Sequence, residues 1–375
     1  MMKNYAFKSV KLYLDFIFIA FSMFSLTCNT NSNLKNYPEE TYEAHFFRPT
    51  NTLPPNQILY RPSILRINST GKVLVLDNGN NRVVEYSPEG LFLKQFGSIG
   101  QGPGDILNPI YIDLDYKDNL YVLELGNKRI SIFDSSGIFV NSFKITKMPA
   151  PFSICVVSPN RILVNQPTIN GPLFYVYNAK GDLIDSLGTV KNYSNSSFKG
   201  PNEIATKMRN SVNARFDKKD RIFVAYVCEP VLKCFSKNGK LLFDKKIEGN
   251  EIDSLEAKED QLNKENTEPP NPNMVRVVKY IDDIELNNDD LIIELSGHLY
   301  NKGGRKGKYF YLLNKMGIIS AKYFLEPSFQ LGNYNPSIRN FDITQKKIFG
   351  CDTYNGELVI AFPTNNITKI KKEDL

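Results

Sequence analysis

At 375 residues, 42% hydrophobic, with 25 Phe and 20 Tyr, the chain has enough apolar surface to bury a large core, which excludes a disordered polymer. Its formal charge of +6 includes +2 from Lys3, Lys8 and Lys11 against Asp15, and the remaining +4 is too thinly spread for a nucleic-acid footprint. Two histidines, His45 and His298, exclude a multi-His zinc centre.

The first 28 residues read as an address. A basic start is followed by an apolar run, Phe16 to Leu26, too short to span a bilayer and laid out as a secretory signal. Ser25-Leu26-Thr27-Cys28 resembles the lipobox of bacterial lipoproteins, in which the Cys is acylated and becomes the mature N-terminus. It departs from that pattern in lacking Leu three residues before the Cys and Gly or Ala just before it, and Asp15 interrupts the apolar segment. The alternative is a plain secretory signal with Cys28 incidental or removed. The expected division is a signal peptide at 1–27, a flexible polar tether at 28–41 and a folded domain at 42–375. A lipid at Cys28 implies an exported, membrane-anchored protein on the periplasmic or cell-surface side.

Tyr42 to Phe47 has the composition of one isolated strand between breakers. From residue 62 onward the pattern repeats. KVLVLDNGNNRVVEYSPEGLFLKQFG (72–97) is nearly copied 47 residues later, with Arg129 standing for Arg82 and Gly137 for Gly90. Each copy reads as four short strands joined by turns rich in Gly, Asn, Asp and Pro. Further copies start near Phe152, Asn213 and Val277, and a sixth (Arg339–Ile343, Lys347–Cys351, Leu358–Phe362) lacks its last strand. Five full repeats, a sixth short of one strand and a spare N-terminal strand predict an all-β fold: a six-bladed β-propeller of four-stranded antiparallel blades, closed by the N-terminal strand.

The run V-x-D-x-x-N-x-R-V/I-x-x-Y/F with its following x-x-x-G turn, and Phe96-Gly97 leading to Gly100-Gln-Gly-Pro-Gly104, resemble NHL-type propellers, and most nearly the exported six-bladed propeller lipoproteins of bacteria. The likeness is strong over 62–145 and traceable to 362. The later repeats lack the Arg equivalent to Arg82. The resemblance implies a fold and an envelope location, without a settled activity.

The four cysteines of the folded part, Cys155, Cys228, Cys234 and Cys351, have no C-x-x-C spacing and read as free thiols, although Cys228 and Cys234 could pair across a hairpin. In a four-stranded blade the first and third connections lie on one side, and the second connection and the inter-blade link on the other. The long connections here (97–109, 165–173, 188–211, 248–274, 296–308 and 326–337) are all of the second kind, so they converge on one face, the expected ligand face.

That face should carry Asp77, Asn80, Arg82, Glu124, Arg129, Asn165, Glu294, His298, Tyr300, Arg305 and Asp352. Carboxylates converging on an axis can hold Ca²⁺, with Asp77, Glu124 and Asp352 as metal candidates. In NHL repeats the same acidic residue caps its loop and pairs with the Arg, which needs no metal. Asn250 to Leu262 places Ile252, Leu255 and Leu262 on one face of a short acidic helix, a partner surface or a lid. His298 lies in a loop with no Ser, Cys or Asp spacing that makes a triad. Two functions follow. One is an envelope binding or scaffold module, non-enzymatic and monomeric, without cofactor, that recognises a protein or a glycan through the long-loop face. The alternative is a Ca²⁺-dependent hydrolase or lyase at the central channel. On either reading, replacing Asp77, Glu124 and Asp352 by Asn should impair function and leave the fold intact.

Overall fold

A computed structural model describes residues 39–46, 58–145, 151–194, 202–264, 277–287, 290–297, 299–300, 306–326, 348–352 and 357–363. Strand β1 (Glu39–Phe46) precedes the first blade. Blade one is β2 (Pro62–Ile67), β3 (Val73–Asp77), β4 (Arg82–Tyr86) and β5 (Phe92–Phe96). Blade two is β6 (Pro109–Leu114), β7 (Leu120–Glu124), β8 (Arg129–Phe133) and β9 (Phe139–Lys144). Blade three is β10 (Ser153–Ser158), β11 (Arg161–Asn165), β12 (Pro172–Tyr177) and β13 (Leu183–Thr189). Helix α1 (Glu203–Arg209) leads into blade four, β14 (Val212–Phe216), β15 (Ile222–Tyr226), β16 (Val231–Phe235) and β17 (Leu241–Lys246). Helix α2 (Asn250–Lys264) leads into β18 (Ile281–Asn287), β19 (Asp290–Leu295), β20 (Leu299–Tyr300), β21 (Lys306–Leu313) and β22 (Ile319–Glu326). Strands β23 (Ile348–Asp352) and β24 (Glu357–Pro363) follow.

The strand pattern explains the packing. The second strand of a blade is buried on both faces, so it reads as an unbroken apolar run: β3 is Val-Leu-Val-Leu-Asp and wholly buried. Its alternate residues face opposite neighbours. Leu74 and Leu76 pack with Leu120 and Val122 of blade two, while Val73 and Val75 join Leu65, Val84 and Tyr86 on the other side. Tyr121 and Leu123 in turn face Ile154, Ile162 and Val164 of blade three. The outer strands alternate between covered and exposed positions. The third connection of each blade is a turn whose Gly has positive φ: Gly90, Gly137, Gly181, Gly239 and Gly317. A side chain there would be forced into the left-handed region.

Six blades were expected from the repeats, and the structure corrects this to five. Four separate four-stranded sheets are followed by a fifth blade, β18-β19-β21-β22, whose sheet runs on as β22-β1-β24-β23 into eight strands, β20 pairing with β21 off that path. β1 does lie antiparallel to β24, from Tyr42 opposite Pro363 to Phe46 opposite Val359. Its other edge pairs parallel with β22, from Glu39 opposite Lys322 to Glu43 opposite Glu326. The N-terminal strand therefore joins the last strands to blade five and does not close a separate sixth. The physical reason is edge pairing: β22 is eight residues long and presents a row of unpaired backbone groups, which an extended strand with two free edges can take up. The strand expected at 339–343 lies outside the described residues.

The first strands pack side by side around the centre, β2 against β6, β6 against β10, β10 against β14 and β14 against β18. The predicted helix forms as α2, with Ile252 and Leu255 buried in the core shared by blades four and five and Leu262 packed against it. Cys155, Cys228 and Cys234 are buried free thiols. Among the described residues no helix is long and apolar enough to cross a membrane.

Candidate functional site

Asp77, Glu124, Asn165 and Glu294 stand at or next to the C-terminal ends of the second strands, on the side of the long connections. Each is fully or almost fully buried there and engaged by its surroundings. Asp77 accepts hydrogen bonds from Arg82 Nε (2.7 Å), Asn80 Nδ2 (2.8 Å) and the backbone N–H of Tyr60 (2.6 Å). Arg82 also donates to the carbonyl of Ile58 (3.0 Å), and Gly79 N donates to the carbonyl of Tyr60 (2.8 Å). A Cβ on Gly79 would lie 2.2 Å from the Tyr60 ring, so only Gly allows this approach.

Blade two repeats the device. Glu124 accepts from Arg129 Nε (3.0 Å), Asn127 Nδ2 (2.6 Å), Ser131 Oγ (2.5 Å) and Leu107 N (2.9 Å). Arg129 reaches the carbonyls of Gln101, Gly102 and Asp105. The acid, Gly, Asn and Arg of the repeat therefore form a clamp: the carboxylate accepts from N–H groups of the incoming link, and the guanidinium donates to its carbonyls. Such buried backbone groups need partners, and here the partners are the residues expected to serve a ligand. Substituting Asp77 or Glu124 is therefore expected to disturb the fold as well as any ligand site.

In blade three Asn165 does the same work without charge. Its Nδ2 donates to Leu173 O (2.9 Å) and Asn210 O (3.1 Å), and its Oδ1 accepts from Val212 N (3.2 Å). In blade five Lys308 replaces the Arg. It bonds Glu294 at 2.7 Å, pairs with Asp282, and donates to Leu295 O. One ammonium faces two carboxylates. Burial pushes Glu294 up to about 7 against the pull of Lys308. Asp282 is also opposed by burial, but Lys308 and Lys279 outweigh it and hold Asp282 well below the usual carboxylate range.

A carboxyl raised in the folded state contributes stability that is present below its unfolded value of 4.5 and lost as pH rises through about 7. The protein is expected to lose on the order of 1–3 kcal/mol through this group between about pH 5 and pH 8. Glu294→Gln should remove that part of the slope. Denaturant melts of both proteins across this range check it, and identical slopes would show that Glu294 does not titrate there.

Asp352 closes β23 opposite Glu357, and Tyr300 lies in β20 opposite Lys306. His298 and Arg305 lie outside the described residues. Among the described residues, no group of three or more His, Cys, Asp or Glu is arranged to hold a metal ion.

The long-loop face has further structure. Arg209, at the end of α1, bonds Glu259 of α2 at 2.5 Å and lies 3.5 Å from Glu229 in the β15–β16 connection. Tyr280 donates to the other oxygen of Glu259 (2.6 Å), and Tyr193 pairs with Glu229. Helix α2 is also fixed to blade five through Glu251, which takes Lys322 at 2.9 Å and the hydroxyl of Tyr311. Ile99, in the link between blades one and two, and Ile204 of α1 are 68% and 38% exposed.

A second polar set runs through the centre of the ring. On the first strands, Arg66 (β2) bonds Asp283 (β18) at 3.2 Å and Tyr111 (β6) at 3.0 Å, and lies 3.5 Å from Asp113. Arg215 (β14) pairs with Glu285 at 3.0 Å and lies 3.6 Å from Asp283. Tyr111 donates to Asn213 (3.1 Å), and burial pushes its hydroxyl up to about 12. These residues were not among the expected site. Their signal lies in the sequence all the same: Tyr111 and Asp113, Asn213 and Arg215, and Asp283 and Glu285 are polar pairs two apart in their strands, so each pair shares one face.

No family model matches the chain. A 76-residue stretch is 33% identical to NHL repeat-containing protein 3 of Homo sapiens, covering 20% of this chain and 22% of the human protein. A 132-residue stretch is 24% identical to protein brain tumor of Drosophila melanogaster, covering 35% of this chain and 12% of that protein. The matches span less than a quarter of these relatives' own length. Among solved structures, a candidate exported protein of Bacteroides fragilis superposes with a TM-score of 0.54 at 12% identity, over 87% of this chain and 99% of that one. This likeness is one of fold. The chain is a β-propeller of four-stranded antiparallel blades with NHL-like repeats.

Proposed function

We propose that this protein is a non-enzymatic binding module of the cell envelope, exported, held at the membrane through an acylated Cys28, and engaging a protein partner through its long-loop face. The observation that carries this reading is the locked frame on that face, where Arg209, Glu229, Glu259, Tyr193 and Tyr280 tie together α1, α2, one intra-blade connection and two inter-blade links. Ile99, in one inter-blade link, and Ile204, in α1 of another, stand exposed on this face. Apolar anchors on a preorganised polar frame are what protein-binding surfaces use. The strand-end carboxylates, engaged by their own loops, favour recognition over catalysis.

Photo-crosslinking residues placed at Ile99 and at Ile204, and as controls at Ser136 and Asn238 in the short turns, test this in cells. Adducts of one defined mass are expected from the first two positions and none from the controls. Adducts from the short turns, or from no position, would overturn the proposal.

A further inference from the structure

The ends of the first strands opposite the long-loop face open into a cavity of about 320 Å³. Its wall includes Arg66, Arg215, Asp113 and Glu285 of the central set, and Tyr116 and Asp118 of the short turn after β6. Both guanidiniums are more than nine-tenths buried, and Arg66 Nε and Arg215 Nη2 have no hydrogen-bond partner, standing 3.5 and 3.6 Å from carboxylate oxygens. Buried N–H groups left unsatisfied are costly. Here two of them belong to residues of one cavity wall. Its volume is at the small end of the ~300–1,000 Å³ of small-molecule sites.

The charges of the wall select the occupant. Two guanidiniums are interleaved with the carboxylates of Asp113, Asp115, Asp118 and Glu285. An anion would meet the carboxylates, and a cation would meet the buried guanidiniums. A neutral polyhydroxylated molecule meets neither penalty, because a hydroxyl can both donate to a carboxylate and accept from an N–H. Several of the carboxylates have lone pairs left for this. Asp113 Oδ2 accepts only from Val156 N (2.7 Å) among its hydrogen bonds, and Glu285 takes Arg215 Nε and its neighbour Leu286 N.

The rim supplies an aromatic surface. Tyr116 is 65% exposed, and Lys117 Nζ stands 5.6 Å from its ring centroid, so one ring face is covered. The other suits the C–H face of a sugar. We infer that this cavity binds a neutral sugar, a single ring or the end of a glycan chain. This site is on the opposite side from the partner surface proposed above and does not depend on it.

Calorimetric titration of the folded chain with glucose, galactose, mannose and N-acetylglucosamine tests the inference, with glucuronate and glucosamine as charged controls. Saturable binding of at least one neutral sugar is expected by about 10 mM, where a site as weak as ~1 mM is nearly filled. Tyr116→Ala, an exposed position whose change should leave the melting profile unaltered, is expected to weaken that binding about fivefold to tenfold. Glu285→Gln, which removes a charged acceptor, should weaken it as well. No saturable binding of any neutral sugar, equal or tighter binding of glucuronate or glucosamine, or unchanged affinity in Tyr116→Ala would each overturn the inference. Crosslinking at Ile99 and Ile204 reads the other face, so either result can fail without the other.

Discussion

Asp283→Ala is expected to destabilise the protein by about 3–5 kcal/mol, the cost of leaving buried charge uncompensated. Asp283 is buried between Arg66, 3.2 Å away, and Arg215, 3.6 Å away, at the centre of the ring. Without it the two guanidiniums retain Asp113 and Glu285, but the carboxylate between them is gone, and their repulsion acts in a poorly screened interior. The melting temperature should fall on the order of 10 °C. The double variant Arg66→Met, Asp283→Leu should recover most of the loss, because a buried pair exchanged for apolar groups of similar volume is often close to neutral. Thermal unfolding of wild type, single and double variants measures both effects. A single variant within about 0.5 kcal/mol of wild type, the range of an ordinary surface change, would show that the central set contributes nothing to stability.

The second large effect is expected at Asp77. Its carboxylate accepts three hydrogen bonds and is wholly buried, so Asp77→Ala should cost about 3–5 kcal/mol by removing the carboxylate that partners Arg82 Nε and the N–H of Tyr60. The loss should also be local. The link at 58–60 is held by Asp77, by Arg82 and by Gly79, and its amides should exchange faster than those of the neighbouring blade. Asp77→Asn keeps an acceptor oxygen and should cost less. Denaturant unfolding with hydrogen exchange at Tyr60 and Gly79 checks both statements. If Asp77→Ala unfolds like the wild type, the clamp is not structural and the ligand role of the ring returns.

The blades were legible because their signals are local. A Gly that must have positive φ closes the third connection at Gly90, Gly137, Gly181, Gly239 and Gly317, so each tight turn pairs the strands on either side of it. The number of blades was not legible. It depends on which edge β1 takes, and one strand of suitable composition can pair with β22, β24 or both without any change in its own sequence. Asp77, Glu124, Asn165 and Glu294 lie at the same ends of their strands because alternation of connections is fixed by antiparallel pairing. The alternation does not say what their side chains do. That depends on the links at 58–60 and 101–108, whose backbone groups become partners only when the chain returns to the centre. The central charges were readable as period-two polar positions, but their partners lie on strands as much as 217 residues away.

The pairing of β1 also orders events in time. Its antiparallel partner lies more than 300 residues further along the chain, and its parallel partner nearly as far. During synthesis β1 emerges long before either exists, and four blades can be made while it waits. Loop-closure entropy on this scale delays such a pairing relative to the hairpins within each blade. The segment at 39–46 thus spends the whole interval as an unclaimed extended strand, open to another copy's β22 as readily as to its own. At high local concentration this favours exchange of β1 between molecules, the more so the longer the interval lasts.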